Sequence, residues 1–308
     1  MSVTAGIDPF ASLHDGAYDD GVVQVRACHG PRPRRSLRSV RTPHFDVLPS
    51  GHRVQVQHVL PPDEVDDDLA GLLADELFGP GWLRGPDLFE RIFTGVVLTS
   101  AGDPLSGWEL FYRNTLRRLD DLLADGPGGD AEPDGVIGAH GTLAGYAPVY
   151  SHVESLLRPG GSVLELGCCF GFLSLRLAGA GFPVVATDIS PGTVTLLSRV
   201  APRLEMPLAT ATADASRVPY PGGAADHVLA IHLLEHLDEE HGERVLAEAL
   251  RLGRSRIVVA VPLEDVADET WGHVRTISLA DLEAWGVASG WDFEVHEHHG
   301  GWLVLDRP

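Results

Sequence analysis

The amino-acid sequence predicts an α/β fold with a doubly wound sheet of seven strands, mostly parallel, whose last strand is antiparallel. From residue 146 onward, short apolar runs alternate with amphipathic helical patterns. This alternation is typical of a parallel sheet covered by helices on both faces. The last two apolar runs are joined only by residues 298–301, and a link this short can only connect antiparallel strands.

The elements of this sheet follow one another in a regular order. Strands are predicted at residues 162–166, 184–188, 209–213, 226–231, 256–261, 292–297 and 302–305. Helices are predicted at residues 146–157, 172–179, 239–252 and 279–288, and a further helix begins at Pro191, where proline suits a first turn.

The part of the chain before this sheet predicts a small α+β extension. Apolar and polar residues alternate over residues 45–60 across Pro49-Ser50-Gly51, which indicates a β-hairpin, and helical patterns follow at 63–78 and 104–123. Residues 125–135 are rich in Gly, Pro and Asp and predict a linker. The predicted domains are a weakly ordered tail at 1–40, the extension at 41–135 and the α/β domain at 136–308.

Composition limits the classes of partner. The 308 residues carry a formal net charge of −21, which argues against nucleic acid and against an acidic membrane surface. No apolar run approaches the ~20 residues of a membrane span, and the N-terminus has no apolar signal core, so we expect a cytoplasmic protein. Five arginines between residues 32 and 41 predict a solvated tail or an arm on the acidic body.

Three cysteines do not form a disulfide framework. The simplest interpretation of Cys168 and Cys169 is packing around a tight turn. That turn lies in the segment Val-Leu-Glu-Leu-Gly-Cys-Cys-Phe-Gly at residues 163–171, which predicts a strand, a glycine turn and a helix. Glycine lets the backbone approach a bound molecule, and the helix N-terminus offers free N–H groups.

Two nucleotide-binding designs share this outline. The dinucleotide fingerprint would need glycine at positions 169 and 172, where the chain has Cys169 and Phe172. The S-adenosylmethionine loop, Glu/Asp-x-Gly-x-Gly-x-Gly, fits Glu165, Gly167 and Gly171, with Cys169 in place of the middle glycine. The segment alone leaves both cofactors open.

Polar residues follow the other predicted strands, at the sheet edge where open α/β sheets bind ligands. Asp188 ends the second strand, and an acid there can accept both ribose hydroxyls of either cofactor. Asp214 and Ala215 follow the third strand, and such a pair can meet an adenine amino group and ring nitrogen. The fourth strand is followed by residues 232–237, His-Leu-Leu-Glu-His-Leu.

Together these segments resemble the class I S-adenosylmethionine-dependent methyltransferases over residues 146–308. The resemblance implies a Rossmann-like sheet that binds S-adenosylmethionine. It implies a cofactor site formed by Glu165, Gly167, Gly171, Asp188, Asp214, Ala215 and His232, the last beside the methionine part. Cys169 departs from the family pattern, and a side chain there should narrow the loop.

An alcohol acceptor needs a general base, and histidine suits this role near neutral pH. We expect the base to be His273, then His298 or His299, with His236 a weaker candidate that more simply packs near the following helix. Glu264, Asp265 and Asp268 with histidines could hold a divalent ion, but their spacing matches no ligand motif, so no metal site is predicted.

Four further segments resemble the actinobacterial mycofactocin-associated methyltransferases: residues 41–46, 78–82, 166–171 and 296–302. The resemblance implies O-methylation of a glucose-type hydroxyl on the mycofactocin oligosaccharide. Trp82, Trp108, Trp271 and Trp302 are candidates for stacking on sugars, although core packing is the simpler role. A quinone, a polyketide or another small metabolite is an alternative acceptor. A non-catalytic S-adenosylmethionine-binding protein, with Cys169 as a mark of decay, is the third hypothesis. The sequence does not specify an oligomeric state.

Overall fold

The computed structural model describes residues 7–32, 39–50, 53–124, 142–267 and 272–308. The chain divides into two units, residues 1–147 and residues 148–308. The predicted linker at 125–135 lies outside the described residues. None of the helices in the described part of the chain combines the length and apolarity needed to cross a bilayer.

The first unit contains a five-stranded sheet. Its strands are β1 (Ala17–Asp19), β2 (Val23–Ala27), β3 (Val40–Arg41), β4 (Phe45–Ser50) and β5 (Arg53–His58), in the order β1-β2-β5-β4-β3. β4 and β5 pair antiparallel, which confirms the predicted hairpin. β2 pairs parallel to β5 and thereby joins the early part of the chain to that hairpin.

The predicted tail at residues 1–40 is therefore wrong for its described part. Tyr18, Val23 and Val25 are fully buried. The short apolar–polar alternation over residues 23–26 forms a paired strand because β5 supplies a partner from a distant part of the chain. Of the arginines between residues 32 and 41, Arg32 donates to the Thr42 carbonyl at 2.8 Å, and positions 34, 35 and 38 lie outside the described residues.

The helices of the first unit are α1 (Leu69–Leu73), α2 (Pro86–Thr99) and α3 (Pro104–Ala124), and a π-helical segment, Ala74–Phe78, continues α1. The predicted helix over 63–78 is thus broken, with a separate 3₁₀ turn at Pro62–Glu64. α2 was not predicted, since Gly95 and its β-branched neighbours are weak helix formers. Tertiary packing overrides that preference: a Cβ at Gly95 would lie 2.4 Å from Val25 of β2.

The second unit contains the predicted seven-stranded sheet. Its strands are β6 (Val163–Leu166), β7 (Val184–Asp188), β8 (Leu208–Thr212), β9 (Ala225–Ile231), β10 (Gly253–Val261), β11 (Asp292–Glu297) and β12 (Gly301–Asp306). The strand order is β11-β12-β10-β9-β6-β7-β8. β12 runs antiparallel to both β10 and β11, which confirms the reversed last strand.

Helices follow the strands as predicted, within a few residues at each end. They are α4 (Leu143–Leu156), α5 (Phe172–Gly179), α6 (Pro191–Val200), α7 (Glu239–Leu252) and α8 (Leu279–Ser289). The division between the units falls inside α4 rather than near residue 135. The first residues of α4 group with the first unit because the Asp68 carboxylate accepts the backbone N–H groups of Thr142 and Leu143 at 2.7 and 2.8 Å.

The central strands are apolar on both faces because helices cover the sheet on both sides. In β10, Ile257 and Val259 belong to the cluster that includes Val245 and Ala249 of α7. Val258 belongs instead to the cluster that includes residues of α4 and α5. Successive side chains of β10 thus pack on opposite faces of the sheet. This alternation fixes how β10 is aligned with its neighbours, and therefore where its carboxyl end lies relative to theirs.

Gly171, just before α5, tests the close packing of the chain against Leu197 of α6. Its φ is +78°, and a Cβ there would lie 2.5 Å from Leu197 Cδ2. We expect Gly171→Ala to lower the free energy of unfolding by about 2–3 kcal/mol, through backbone strain and the clash. The control Gly192→Ala, at a helical glycine without close neighbours, should raise it by roughly 0.5 kcal/mol. Urea denaturation measures both, and equal effects would contradict the packing described.

Candidate functional site

The candidate site lies at the carboxyl ends of the parallel strands. From β6 the chain adds β7 and β8 on one side, and then crosses over to add β9 and β10 on the other. This reversal leaves a crevice beside the end of β6, because the connections after β6 and β9 lead away in opposite directions. The residues that follow β6, β7, β8, β9 and β10 therefore lie at this edge.

The loop after β6 places its backbone, rather than side chains, at this edge. Gly167 and Gly171 have φ values of +71° and +78°. A Cβ at Gly167 would lie 2.7 Å from the Leu233 side chain, so a larger residue would have to displace that side chain as well as adopt a left-handed backbone. Gly171 is the N-cap of α5, whose first N–H groups therefore begin at this loop.

The two adjacent cysteines have different environments. Cys168 is buried, as predicted, and burial raises the pKa of its thiol well above the ordinary range, so it is not a ready nucleophile. The packing interpretation is wrong for Cys169, which is exposed. Its φ of +49° is a left-handed conformation, which glycine adopts more readily than other residues.

Asp188, at the end of β7, holds two loops together. Its Oδ2 accepts the Cys169 N–H at 2.9 Å, and its Oδ1 accepts the Ser190 N–H at 2.8 Å. Ser190 in turn caps α6. Each carboxylate oxygen has a further lone pair, so the residue can still accept hydroxyl groups from a ligand.

Asp214, after β8, is held by short-range contacts. Its Oδ1 accepts the Ser216 N–H at 2.8 Å, the Ser216 hydroxyl at 2.7 Å and His241 Nε2 at 3.0 Å. These hydrogen bonds lower the pKa of Asp214 to about 2, with the Ser216 backbone N–H as the largest cause. Ala215 follows at the same edge and is partly buried. All three hydrogen bonds end on Oδ1. Oδ2 can therefore still accept hydrogen bonds from other groups.

Glu165 lies inside the fold, although the sequence places it in the cofactor loop. It is buried within β6 and accepts a hydrogen bond from the Ser174 hydroxyl of α5. Burial raises the pKa of Glu165 to about 7. The carboxyl group therefore braces the strand against the helix beneath the loop and does not face the open edge.

Beyond β9 and β10, histidines and carboxylates converge. His273 Nδ1 lies 2.8 Å from Glu264 Oε2, and the rings of His236 and His273 are 5.0 Å apart. His232, with a φ of +51°, places Nδ1 3.6 Å from Glu235 Oε1. The sequence-predicted residues His232, His236 and His273 are thus brought together, and Glu235 and Glu264 join them.

Burial changes the pKa of Glu235, His232 and His236. It raises the pKa of Glu235 to about 7 and lowers the pKa of His232 to about 4. Burial also lowers the pKa of His236. A cavity of about 440 Å³ opens beside the group and is lined by Ala267, Gly272, His273 and Val274. Neutral imidazoles beside a cavity can accept protons or bind a metal ion.

His298 and His299 belong to a second histidine group. The ring of His298 lies 4.4 Å from that of His152 in α4, and the rings of His298 and His299 are 4.9 Å apart. His152 Nε2 lies 2.7 Å from His296 Nε2, and His296 stacks on Trp302. The four predicted bases are therefore divided between two groups, each with its own neighbours.

The structure also places the remaining sequence candidates. Trp108 and Trp302 are fully buried core residues, whereas Trp82 in the first unit is 56% exposed. Asp265 is exposed, and Asp268 and Trp271 lie outside the described residues.

Sequence reasoning missed two residues at this edge. Ile189 is 67% exposed beside Asp188, and His241 binds Asp214. An apolar residue directly after a strand-end acid was the available signal for Ile189. His241 gave no signal, because its partner is distant in the sequence. Glu235, for which the sequence suggests a role in packing the following helix, is buried.

The strands that form this edge are similar to those of known proteins. Residues 164–259, from β6 to β10, match the family model described as a methyltransferase domain. This part of the chain is therefore similar to methyltransferase domains. The glycine loop and the strand-end acids fit a nucleoside ligand.

Individual relatives resemble parts of the chain. Ajmaline N-methyltransferase of Rauvolfia serpentina is 31% identical over 103 residues, which are 32% of this chain and 35% of that protein. The chain thus spans about a third of the length of this curated relative. Magnesium protoporphyrin IX methyltransferase of Synechocystis PCC 6803, solved with bound S-adenosylhomocysteine, is 19% identical with a TM-score of 0.46, covering 62% of this chain and 94% of that one. A methyltransferase of Methanosarcina mazei is 14% identical with a TM-score of 0.44, covering 51% and 96%.

Asp188 gives a direct test of whether this edge binds a nucleoside cofactor. We expect Asp188→Ala to weaken S-adenosylmethionine binding at least tenfold, because it removes both the loop contact and a hydroxyl acceptor. The control is Asp226→Ala, since Asp226 also binds a backbone N–H, that of Ser162, but at the amino end of β9. Calorimetry should show nearly unchanged affinity for the control. Equal losses in the two variants would contradict this placement.

Glu165 predicts a dependence of stability on pH. Its pKa is about 7 when folded and about 4.5 when exposed, so its contribution is full below pH 4.5 and is lost as pH rises through 7. Relative to Glu165→Gln, which does not titrate, the wild type should lose roughly 3 kcal/mol between pH 4.5 and 8. Urea denaturation of both proteins at several pH values measures this. A difference that stays constant with pH would show that Glu165 is not buried as described.

Proposed function

We propose that the protein transfers a methyl group from S-adenosylmethionine to a hydroxyl group of a small molecule. One observation carries the proposal: within the methyltransferase domain, the glycine loop and strand-end acids share an edge with a group of histidines and carboxylates. The first set suits the cofactor and the second suits an acceptor that must lose a proton.

The cofactor is assigned to the ends of β6, β7 and β8. The loop at Gly167 and Gly171 approaches the methionine part, with His232 at its border. Asp188 accepts the ribose hydroxyls. Asp214 and Ala215 meet the polar edge of the adenine, and the exposed Ile189 offers its face an apolar contact. The exposed side chain of Cys169 leaves the loop's backbone close to the ligand.

The acceptor is assigned to the ends of β9 and β10. Its oxygen attacks the sulfonium methyl in line with the departing S-adenosylhomocysteine, and much of the rate comes from positioning and exclusion of water. His273 is held by Glu264 beside the cavity, next to the position assigned to the reacting hydroxyl. The His236 ring packs beside the His273 ring. Together the two histidines promote loss of the proton from the acceptor hydroxyl.

For the acceptor itself we propose a glucose-type hydroxyl of the mycofactocin oligosaccharide. The support is the resemblance of residues 41–46, 78–82, 166–171 and 296–302 to the methyltransferases associated with that cofactor. His273, which lines the cavity, offers a polar contact to a sugar hydroxyl.

Methyl transfer from isotope-labelled S-adenosylmethionine tests the proposal. The acceptors are glucose oligosaccharides, a hydroquinone and a phenolic polyketide, with mass spectrometry of each product. Label in the oligosaccharide alone supports the sugar acceptor, and label in another acceptor overturns that part. Cofactor binding without transfer to these acceptors or to any component of a cell extract would contradict the enzyme activity.

His273 gives the matching prediction within the protein. We expect His273→Ala to lower kcat at least a hundredfold while the affinity for S-adenosylmethionine stays within a factor of about two. The control is His299→Ala, because His299 lies in the other histidine group. Single-turnover methyl transfer and cofactor titration measure the two quantities. A full loss in His299→Ala with normal turnover in His273→Ala would move the acceptor to the second group.

A further inference from the structure

Three residues at the ends of β9 and β10 offer a set of metal ligands. Glu235, His236 and His273 each present one ligand atom, and these atoms lie within 4.8 Å of one another. We propose that these residues bind a divalent transition-metal ion beside the acceptor position. Only the role of the ion in catalysis rests on the proposed function; its binding does not.

Both imidazoles are oriented by their second nitrogen. His273 Nδ1 donates to the Glu264 carboxylate, whose oxygens lie at 2.8 and 3.0 Å. His236 Nδ1 lies 3.2 Å from the Gly272 carbonyl, which can only accept, so Nδ1 carries the proton. In each ring the lone pair is therefore on Nε2. Metal-binding histidines are commonly held in this way by a carboxylate or a backbone carbonyl.

Glu235 supplies an independent observation. Its side chain is 1% exposed, and neither carboxylate oxygen has a hydrogen-bond partner among the described residues. His232 Nδ1, at 3.6 Å from Oε1, is too distant for a hydrogen bond. A buried carboxylate without a hydrogen bond is destabilising, because its desolvation is not offset. A bound cation would provide the missing partner. Packing alone does not explain an acidic residue at this position.

The spacing and the ligand types indicate the kind of ion. Ligand atoms about 2.0–2.2 Å from one ion lie about 3–4 Å from each other. Side-chain rotations that shorten the distances between the three ligand atoms by about 1 Å complete the site. Two imidazoles and one carboxylate suit Zn²⁺ or Fe²⁺, whereas Mg²⁺ and Ca²⁺ prefer oxygen ligands alone. The cavity beside His273 leaves a position open for a further ligand.

An acceptor hydroxyl in that open position would lose its proton more readily, since a bound divalent ion lowers the pKa of a coordinated oxygen. The proton passes to solvent. The oxygen then forms a bond to the methyl carbon, and the S–CH₃ bond breaks with its electron pair remaining on sulfur. His273 acts in this scheme as a ligand, and the ion performs the activation otherwise required of a base.

Zn²⁺ titration of the full-length, EDTA-treated protein tests the site without cofactor or acceptor. We expect about one ion per chain. Glu235→Gln and His236→Gln should each weaken binding at least tenfold. Glu235→Gln keeps the shape of the side chain and removes a buried charge, so it should fold. Circular dichroism verifies this for both variants.

The control variant is His296→Gln, because His296 belongs to the second histidine group and has a buried ring. Its Zn²⁺ affinity should match that of the wild type. Absence of stoichiometric binding overturns the inference, as does unchanged affinity in Glu235→Gln or a tenfold loss in His296→Gln. Methyl transfer that persists after EDTA treatment overturns the ion's catalytic role and leaves the proposed function intact.

Discussion

The Asp188 carboxylate is the contact on which the cofactor edge depends. It binds the Cys169 N–H of one loop and the Ser190 N–H of the next, and so joins the ends of two neighbouring strands. Together with the Cys168 N–H, which donates to the Thr187 carbonyl at 2.9 Å, it anchors the left-handed turn at Gly167, Cys169 and Gly171 to β7. The Asp188 carboxylate thus holds the two loops together. Each of its oxygens has a further lone pair, so it can also accept ribose hydroxyls.

Buried carboxyl groups lie on either side of this edge and serve different purposes. Glu165 has a partner, Ser174, and ties β6 to α5 beneath the loop. Glu235 has no hydrogen-bond partner among the described residues and lies with His236 and His273. Burial raises the pKa of both groups to about 7, but only the satisfied one is explained by the fold itself. An unsatisfied buried carboxylate among oriented imidazoles is typical of a site built for a ligand.

Much of the second unit could be predicted from the sequence because its strands are short, apolar and separated by helical patterns. The reversed β12 followed from the length of one link. Pairing between distant segments could not be predicted in this way: β1 and β2 form because β5 pairs with β2, and α2 forms because Gly95 packs on Val25. At the site, the sequence indicated the strand-end residues, but not the bond between His241 and Asp214 or the inward direction of Glu165. Those depend on which side chains the fold brings within reach.

We propose that the carboxyl ends of β6, β7 and β8 bind S-adenosylmethionine. Hydrogen–deuterium exchange with and without S-adenosylhomocysteine tests it most directly, because it locates the ligand without requiring turnover. The account predicts protection over residues 167–171, 188–190 and 214–216, with little change at the amino ends of the same strands. Protection confined to those amino ends, or no protection at a saturating ligand concentration, would contradict it.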